Sequence, residues 1–137
     1  MCIRDSSNYA RCGCRSAHNL GYWRGEDYLG LGPSAVSTLG AVRSKNIADT
    51  ARYIAQIRAC GHALDEAETL DAEARRLERI ALGLRTTDGI ALDMLDHAAR
   101  ARAEIFVQEG LACVADGCLT LIHRGRALVD AIAAELV

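Results

Sequence analysis

The sequence predicts an α+β fold that is mainly helical, with a winged-helix-like arrangement in its second half. Apolar residues recur at helical spacing in three segments after residue 69. Asp116-Gly117 separates two segments of alternating polarity, which is a strong signal for a two-residue β-hairpin. Residues 90–92 form a short extended segment between the first two helical segments. The predicted order is therefore helix, short strand, helix, hairpin and helix.

The first half of the chain is predicted to contain a strand, a turn and one long helix. Residues 28–37 combine a short apolar run with closely spaced glycines, which predicts a strand that runs into a Gly-rich turn. Asn46 is a favourable N-cap for a helix that extends to about Cys60, and Gly61 is a typical residue at its end. Residues 65–68 are acidic and predict an exposed connection to the second half.

Three amphipathic helices are predicted after this connection. Thr69 can cap the first, and acidic residues in its first turn favour the helix dipole. The second runs from about Leu95 to Glu109 with Gly110 at its end, and the third begins at about Arg124. The apolar faces comprise Leu70, Leu77, Ile80, Ala81 and Leu84 in the first helix, Ala99, Ala103, Phe106 and Val107 in the second, and Leu128, Val129, Ile132, Ala133 and Leu136 in the third.

Composition limits the class of protein. Half of the 137 residues are hydrophobic but only 4% are aromatic, so the predicted core is aliphatic and rich in alanine. No apolar run reaches the roughly 20 residues of a transmembrane helix, which predicts a soluble protein. With no secretion signal, the six cysteines are expected as free thiols in the cytoplasm. Cys12-Gly-Cys14 lacks a second pair at zinc or cluster spacing, so a metal role for these thiols has little support.

Charge divides the chain into a basic and an acidic half. Residues 1–64 carry eight Lys and Arg against four Asp and Glu (net +4), and residues 65–137 carry eight against fourteen (net −6), which sum to −2. Winged helices often bind DNA, but DNA affinity comes mainly from cations at phosphates. Arg100 and Arg102 of the candidate recognition helix stand beside Glu104 and Glu109. An acidic winged helix is therefore expected to serve as a packing or lid domain rather than to bind nucleic acid.

His18 and Tyr22 form the most informative pair of side chains in the first half. Their spacing of four places both side chains on one face, whether the backbone is helical or extended, and imidazole and phenol are both types of axial haem ligand. Arg11, Arg15 and Arg24 are near in sequence and could pair with porphyrin propionates. The alternative is structural, because a His-Asn dipeptide is often a hydrogen-bonded pair and Tyr-Trp is often part of a core.

Glycines mark the loop that follows this pair. Gly30 and Gly32 allow the backbone to come close to a ligand or to another strand. No glycine follows three residues after Gly32, so the G-x-G-x-x-G pattern of dinucleotide-binding loops is not met.

Several motifs together resemble the radical-SAM coproporphyrinogen III oxidase-like family, with the haem chaperones as the nearest branch. The motifs are Ser7-Asn-Tyr-Ala-Arg11, His18-Asn-x-x-Tyr-Trp-Arg24, Tyr28-Leu-Gly-Leu-Gly-Pro33, Ala35-x-Ser37, Glu68-Thr-Leu-Asp71, Leu82-Gly-Leu-Arg85, Gly110-Leu111 and Leu119-x-Leu-x-x-x-Gly125. The resemblance covers nearly everything after Ser6. The chain departs from the family pattern at Cys12, where the family usually has proline.

The resemblance implies a division of the chain and a set of site residues. Residues 7–45 would be the C-terminal edge of a radical-SAM barrel, residues 46–64 a connecting helix and linker, and residues 65–137 a winged-helix-like C-terminal domain. His18, Asn19 and Tyr22 would contribute to haem binding, with His18 or Tyr22 as the iron ligand and Asn19 positioning the loop. An iron–sulfur cluster and S-adenosylmethionine are expected only in a full-length protein, because the cysteine-rich cluster loop of the family is absent from these residues.

The sequence is compatible with three functions. The first is the C-terminal part of a haem chaperone, which binds haem and delivers it to an acceptor haemoprotein. The second is the related enzyme, oxygen-independent coproporphyrinogen III oxidase, which decarboxylates propionates by radical chemistry. The third is a winged-helix DNA-binding module, which the charge disfavours. The His-Asn-x-x-Tyr motif favours the chaperone, and the chain alone is expected to have no oxidase activity.

Residues 1–6 stand apart from the rest of the sequence. Met1-Cys-Ile-Arg-Asp-Ser6 resembles the translation of a transposase adaptor used in sequencing libraries. These residues are therefore expected not to belong to the natural protein and are excluded from the fold prediction.

Overall fold

The structure is a computed structural model that describes residues 2–3, 9–11 and 14–137. The strands in chain order are β1 (Cys2–Ile3), β2 (Tyr9–Ala10), β3 (Val36–Leu39), β4 (Val42–Asn46), β5 (Leu64–Thr69), β6 (Ile90–Ala91), β7 (Ala112–Ala115) and β8 (Cys118–Leu121). The helices are α1 (Ala17–Trp23), α2 (Thr50–Cys60), α3 (Ala72–Gly83), α4 (His97–Gln108), α5 (His123–Arg126) and α6 (Val129–Leu136), with a 3₁₀ turn over Leu92–Met94.

Helices exceed strands by about two to one, 46% against 22%, which confirms the prediction of a mainly helical α+β protein. The chain forms two compact units. One comprises residues 26–74, and the other comprises residues 75–137 together with the described residues before Glu26. The predicted domain boundaries at residues 45 and 64 stay a prediction. No helix in the described ranges has both the length and the apolar character needed to cross a membrane.

An antiparallel sheet of order β3-β4-β5 forms the centre of the unit of residues 26–74. Gly40, with φ of +60°, makes the tight turn between β3 and β4, where a left-handed backbone favours glycine. Residues 65–68, predicted as a connection, instead belong to β5, which pairs with β4 from Val42 to Asn46. The prediction of exposure is confirmed, because β5 is exposed at every position. It is an edge strand, and among the described residues no strand pairs with its outer side.

Helix α2 follows β4 and precedes β5 in the chain, and its observed start differs from the predicted one. Gly61 ends it in the left-handed conformation, as predicted. It begins at Thr50 rather than near Asn46, because Asp49 caps it by accepting a 2.8 Å hydrogen bond from the Arg52 amide. Asn46 is the last residue of β4, and its side-chain amide donates to carbonyls of the Gly30–Gly32 loop instead.

The second unit contains a smaller antiparallel sheet of order β6-β8-β7. The hairpin predicted at Asp116-Gly117 is confirmed, since both residues have positive φ (51° and 76°), as a type I′ turn requires. The core of this unit is aliphatic, as the composition predicted. Its buried members are Ile80, Leu84, Ile90, Leu95, Ala99, Ala103, Ala112, Leu119, Leu121, Val129, Ile132, Ala133 and Leu136.

The helices of this unit follow the predicted spacing but begin at other caps. Asp71, not Thr69, caps α3 by accepting a 2.7 Å hydrogen bond from the Ala74 amide. Asp96 caps α4 in the same manner, through the Ala99 amide at 2.8 Å. The predicted order of helix, strand, helix, hairpin and helix is present, and its assignment as a winged helix stays a prediction.

The final predicted helix is divided into α5 and α6. Gly125 in α5 lies so close to the backbone of Leu111 that a Cβ there would stand 1.9 Å from the Leu111 carbonyl oxygen. The chain then leaves helical geometry at Leu128, with φ of −111° and ψ of 15°. The break lets α5 pack tightly beside the hairpin while α6 turns Val129 and Ile132 into the core.

Candidate functional site

Helix α1 carries the predicted haem-binding motif. It is capped by Ser16, whose hydroxyl accepts from the Asn19 amide at 3.4 Å, and Leu20 is its buried residue at 8% exposure. His18, Asn19 and Tyr22 are all exposed. Leu20 therefore fixes the inner face of the helix, and the three motif side chains remain reachable by a ligand.

The rings of His18 and Tyr22 lie in contact on one face of α1. Their centroids are 4.9 Å apart and their planes meet at 84°, an edge-to-face arrangement that is favourable for aromatic rings. The spacing of four thus places the two side chains together, as predicted. Across the described residues, no group of three or more His, Cys, Asp and Glu is arranged to hold a metal ion. A haem iron differs from such a centre because a single protein side chain can ligate it.

Arg15 and Arg24 both form ion pairs with Asp88, a partner that the sequence did not indicate. Arg15 Nη1 lies 3.3 Å from Asp88 Oδ1, and Arg24 Nη2 donates to Asp88 Oδ2 at 2.8 Å. The three side chains remain 40%, 52% and 42% exposed, respectively. Since Arg15 precedes α1 and Arg24 follows it, one carboxylate is linked to both ends of the motif helix. The contacts predicted between these arginines and porphyrin propionates stay a prediction, and the carboxylate that Arg15 and Arg24 meet in the structure belongs to the chain.

The electrostatics of Asp88 follow from this geometry. The hydrogen bond from Arg24 is the main cause that lowers the pKa of Asp88 below its usual value of 3.8, and the hydrogen bond from Arg15 adds to it. Partial burial opposes the shift but does not cancel it. The carboxylate is therefore ionised throughout the neutral range, where it neutralises part of the charge of both guanidinium groups.

Asp88 is held by a tight turn between α3 and β6. The Thr86 hydroxyl donates to the Gly83 carbonyl at 2.8 Å and accepts from the Gly89 amide at 3.1 Å. Gly89 has φ of +70°, and a Cβ on it would stand 2.2 Å from the Leu119 carbonyl oxygen. The turn is thus pressed onto β8, which fixes the carboxylate of Asp88. Nothing in the sequence linked Asp88 to arginines 64 and 73 residues earlier.

Arg11 is not drawn into this cluster by any contact that the structure gives. Its side chain is exposed, and its carbonyl accepts from the Cys14 amide at 3.0 Å. Cys14 is an exposed free thiol. Cys12, where the sequence departs from the family pattern, lies outside the described residues.

Gly30 and Gly32 lie in the unit of residues 26–74, in a loop whose amides are hydrogen-bonded to side chains of β3 and α2. The Gly30 amide donates to Ser37 Oγ at 2.9 Å, and the Gly32 amide donates to the Tyr53 hydroxyl at 3.2 Å. A Cβ on Gly30 would stand 2.2 Å from the Val36 carbonyl oxygen. Of the two alternatives predicted for this glycine, close approach to another strand is therefore present, and a place beside a cofactor stays a prediction.

A solved structure defines the class of fold. The coproporphyrinogen III oxidase HemN from Escherichia coli, a radical-SAM enzyme, superposes with a TM-score of 0.61 at 20% identity, over 81% of this chain and 28% of that one. The chain therefore has the fold of part of a HemN-like protein. No protein-family model matches the sequence.

Sequence relatives identify the branch. The chain is 34% identical to the haem chaperone HemW of Mycobacterium tuberculosis over 97% of its own length and 34% of the relative's. It is 29% identical to HemW of Bacillus subtilis, over 90% of this chain and 35% of that protein. A mitochondrial radical S-adenosyl methionine domain-containing protein 1 from Danio rerio is 33% identical over 63% of this chain and 21% of its own. The resemblance to the haem chaperone branch of the coproporphyrinogen III oxidase-like family is thus confirmed, and the chain spans about a third of these HemW proteins.

Proposed function

We propose that this chain is part of a haem chaperone that binds haem and delivers it to acceptor haemoproteins. The observation that carries the proposal is the relationship to proteins named haem chaperones over 97% of the chain. The exposed pair of His18 and Tyr22 on α1 supports it, because an imidazole and a phenolate can each ligate haem iron.

His18 or Tyr22 would ligate the haem iron. Both are exposed residues of α1, so a ligand can reach either side chain. Their rings are in contact, and a planar porphyrin would therefore have to separate them or approach from one side. Asn19 would position the motif rather than touch iron.

The alternative is a coproporphyrinogen III oxidase. The fold of the E. coli enzyme HemN supports it, whereas the sequence relatives carry the chaperone name. An iron–sulfur cluster and S-adenosylmethionine belong to the radical-SAM proteins of this family. We assign both to a full-length protein, together with any radical chemistry that they would supply.

The C-terminal residues 65–137 would serve as a packing or lid domain, winged-helix-like in arrangement, and residues 7–45 as the edge of a barrel. DNA binding is not favoured by the two arginines of α4. Arg100 Nε donates to the carbonyls of Leu92 and Leu95 at 3.0 and 3.1 Å, and Arg102 Nη1 donates to the Glu135 carbonyl at 2.7 Å. Both therefore stabilise the unit itself, in an acidic half with a net charge of −6 (eight Lys and Arg against fourteen Asp and Glu). A cytoplasmic location remains part of this proposal.

A haem titration tests the proposal. Wild type, His18→Ala, Tyr22→Phe and the double variant are compared in the full-length protein by the Soret band, with His62→Ala as a control for loss of an exposed histidine. Weaker binding or an altered Soret band in one of the site variants, with the control unchanged, supports the assignment. Equal affinity and identical spectra in all variants would show that the motif is structural.

A further inference from the structure

We propose that Arg24 and Arg79 bind a carboxylate arm of the porphyrin in the cavity beside α1, and that Asp88 is the internal carboxylate that this arm displaces. The inference rests on the proposed haem-binding function and specifies how the propionates would be recognised. It adds two residues, Arg79 and Asp88, that the sequence did not place in the site.

The cavity lies beside the ion pair of Arg24 and Asp88. It has a volume of about 240 Å³, and its walls combine two arginines with apolar side chains. Its lining includes Trp23, Arg24, Arg79, Asp88, Ile90 and Met94. Cavities that hold whole small ligands are typically about 300–1,000 Å³. This one is therefore suited to an arm of a ligand rather than to a porphyrin ring.

Arg79 is a second cation in the wall of the cavity, and it forms no direct ion pair with Asp88. Its side chain is exposed, and its Cγ lies 3.3 Å from where a Cβ on Gly25 would stand. The absence of a side chain at Gly25 thus allows the stem of Arg79 to pack at the end of α1. Within the described part of the chain, the ion pairs of Asp88 are made by Arg15 and Arg24. Of the two arginines that line the cavity, Asp88 therefore forms an ion pair with one, Arg24.

The contacts of Asp88 are of a kind that another carboxylate can replace. Each of its oxygens meets one guanidinium, which is the arrangement that a propionate would also accept. Both ion pairs are close to half exposed, and exposed ion pairs are individually weak. A propionate on a porphyrin would bring apolar contacts that Asp88 lacks, and the partly exposed Trp23 and Met94 offer surface for them.

The test uses protoporphyrin IX, which has two free carboxylates and no iron, and its dimethyl ester, which has neither. Trp23 is the single tryptophan of the 137-residue chain and lines the cavity, so quenching of its fluorescence reports binding there. Because the probe contains no iron, loss of iron ligation at His18 or Tyr22 does not affect the readout. A failed haem titration and a failed carboxylate test are therefore distinguishable.

Four proteins are compared: wild type, Asp88→Asn, Arg79→Gln and the control Arg124→Gln, which removes the same charge from an exposed position on α5. We expect wild type to bind the free acid more tightly than the ester. Asp88→Asn should bind the free acid about threefold to tenfold more tightly, because a weak competing ion pair has been removed. Arg79→Gln should bind it several times more weakly, and Arg124→Gln should match wild type.

Three results would overturn the inference: equal binding of acid and ester by wild type, unchanged or weaker binding of the acid by Asp88→Asn, or no quenching at all. Circular dichroism of each variant shows whether it is folded. Arg79 is exposed, so its variant remains informative if the loss of Asp88 unfolds α1.

Discussion

Arg24 and Asp88, 64 residues apart, form a 2.8 Å ion pair that links the end of α1 to the turn before β6. Arg15 reaches the same carboxylate from the other end of α1, at 3.3 Å. The helix has one buried residue, Leu20, and these ion pairs connect both of its ends to the turn that carries Asp88. The position of the His18–Tyr22 pair therefore depends on a residue far away in sequence.

The first prediction concerns the pH dependence of this attachment. The pKa of Asp88 is lowered in the folded chain, chiefly by Arg24, so its ionised form stabilises the fold. The contribution is complete well above pH 3.8, the usual value for aspartate, and is lost as the pH falls through the lower folded pKa. Because the groups are close to half exposed, it should be no more than about 1 kcal/mol.

Urea denaturation of wild type and Asp88→Asn, at pH 7 and at pH 2.5, measures this effect. The difference in free energy of unfolding should favour wild type at pH 7 and should shrink in acid. A difference that is the same at both values, or that grows in acid, would contradict the assigned role of the ionised carboxylate.

The second prediction concerns the aliphatic core. Ile80 in α3 is completely buried, whereas Ile105 in α4 is 50% exposed. Ile80→Ala should cost about 2–5 kcal/mol, because it removes buried methyl groups and leaves a cavity. Ile105→Ala makes the same chemical change in a helix of the same unit and should cost less than about 1 kcal/mol. Thermal unfolding followed by circular dichroism compares the two, and similar losses would show that Ile80 is not in a packed core.

A third prediction separates backbone strain from steric contact at two glycines. Gly89 and Gly117 both have positive φ, at 70° and 76°. A Cβ on Gly117 would meet open space, whereas one on Gly89 would lie 2.2 Å from the Leu119 carbonyl oxygen. Gly117→Ala should therefore cost only the left-handed backbone penalty of about 1–2 kcal/mol.

Gly89→Ala should cost clearly more, because the turn must also move away from β8 and carry Asp88 with it. The midpoints of urea unfolding of the two variants provide the comparison. If Gly117→Ala were the more destabilised variant, the close packing of the turn on β8 would be wrong.

The features that could be predicted from sequence are those determined by near neighbours in the chain. The turn at Asp116-Gly117 and the helix end at Gly61 depend on the backbone preferences of one or two residues, and both are confirmed. The start of α2 was predicted wrongly because Asn46 and Asp49 are both good caps. The choice between them depends on loop carbonyls 14 and 16 residues before Asn46.

The candidate site shows the same limit. Contact between His18 and Tyr22 follows from the helical spacing of four and is confirmed by the geometry. The partner of Arg15 and Arg24 could not be predicted, because Asp88 stands in a turn whose sequence indicates only a turn. Their roles in haem binding stay predictions.

The last prediction concerns the relative stability of the two units. In residues 26–74 the buried residues are Ser37, Ile47 and Ala63, whereas the other unit has a buried cluster of thirteen apolar residues. Helix α2 has no buried residue, and its Ile54 and Ile57 are 43% and 37% exposed. Local opening is least costly where few apolar contacts are lost. Amides of residues 26–74 should therefore exchange with solvent faster than those of residues 75–83 in α3 and those of α4, β8 and α6.

Hydrogen exchange followed by mass spectrometry measures this contrast in the 137-residue chain. The hydrogen-bonded residues of β4 are the most informative, because they are paired on both sides in the sheet and yet belong to the weakly packed unit. We expect their protection to remain below that of β8, which is the central strand of the other sheet and includes Leu119 and Leu121 in the core. The comparison is matched, since both are central antiparallel strands and differ mainly in the apolar packing on their faces. Equal protection of β4 and β8 would show that hydrogen bonding, rather than core packing, determines the stability of these units.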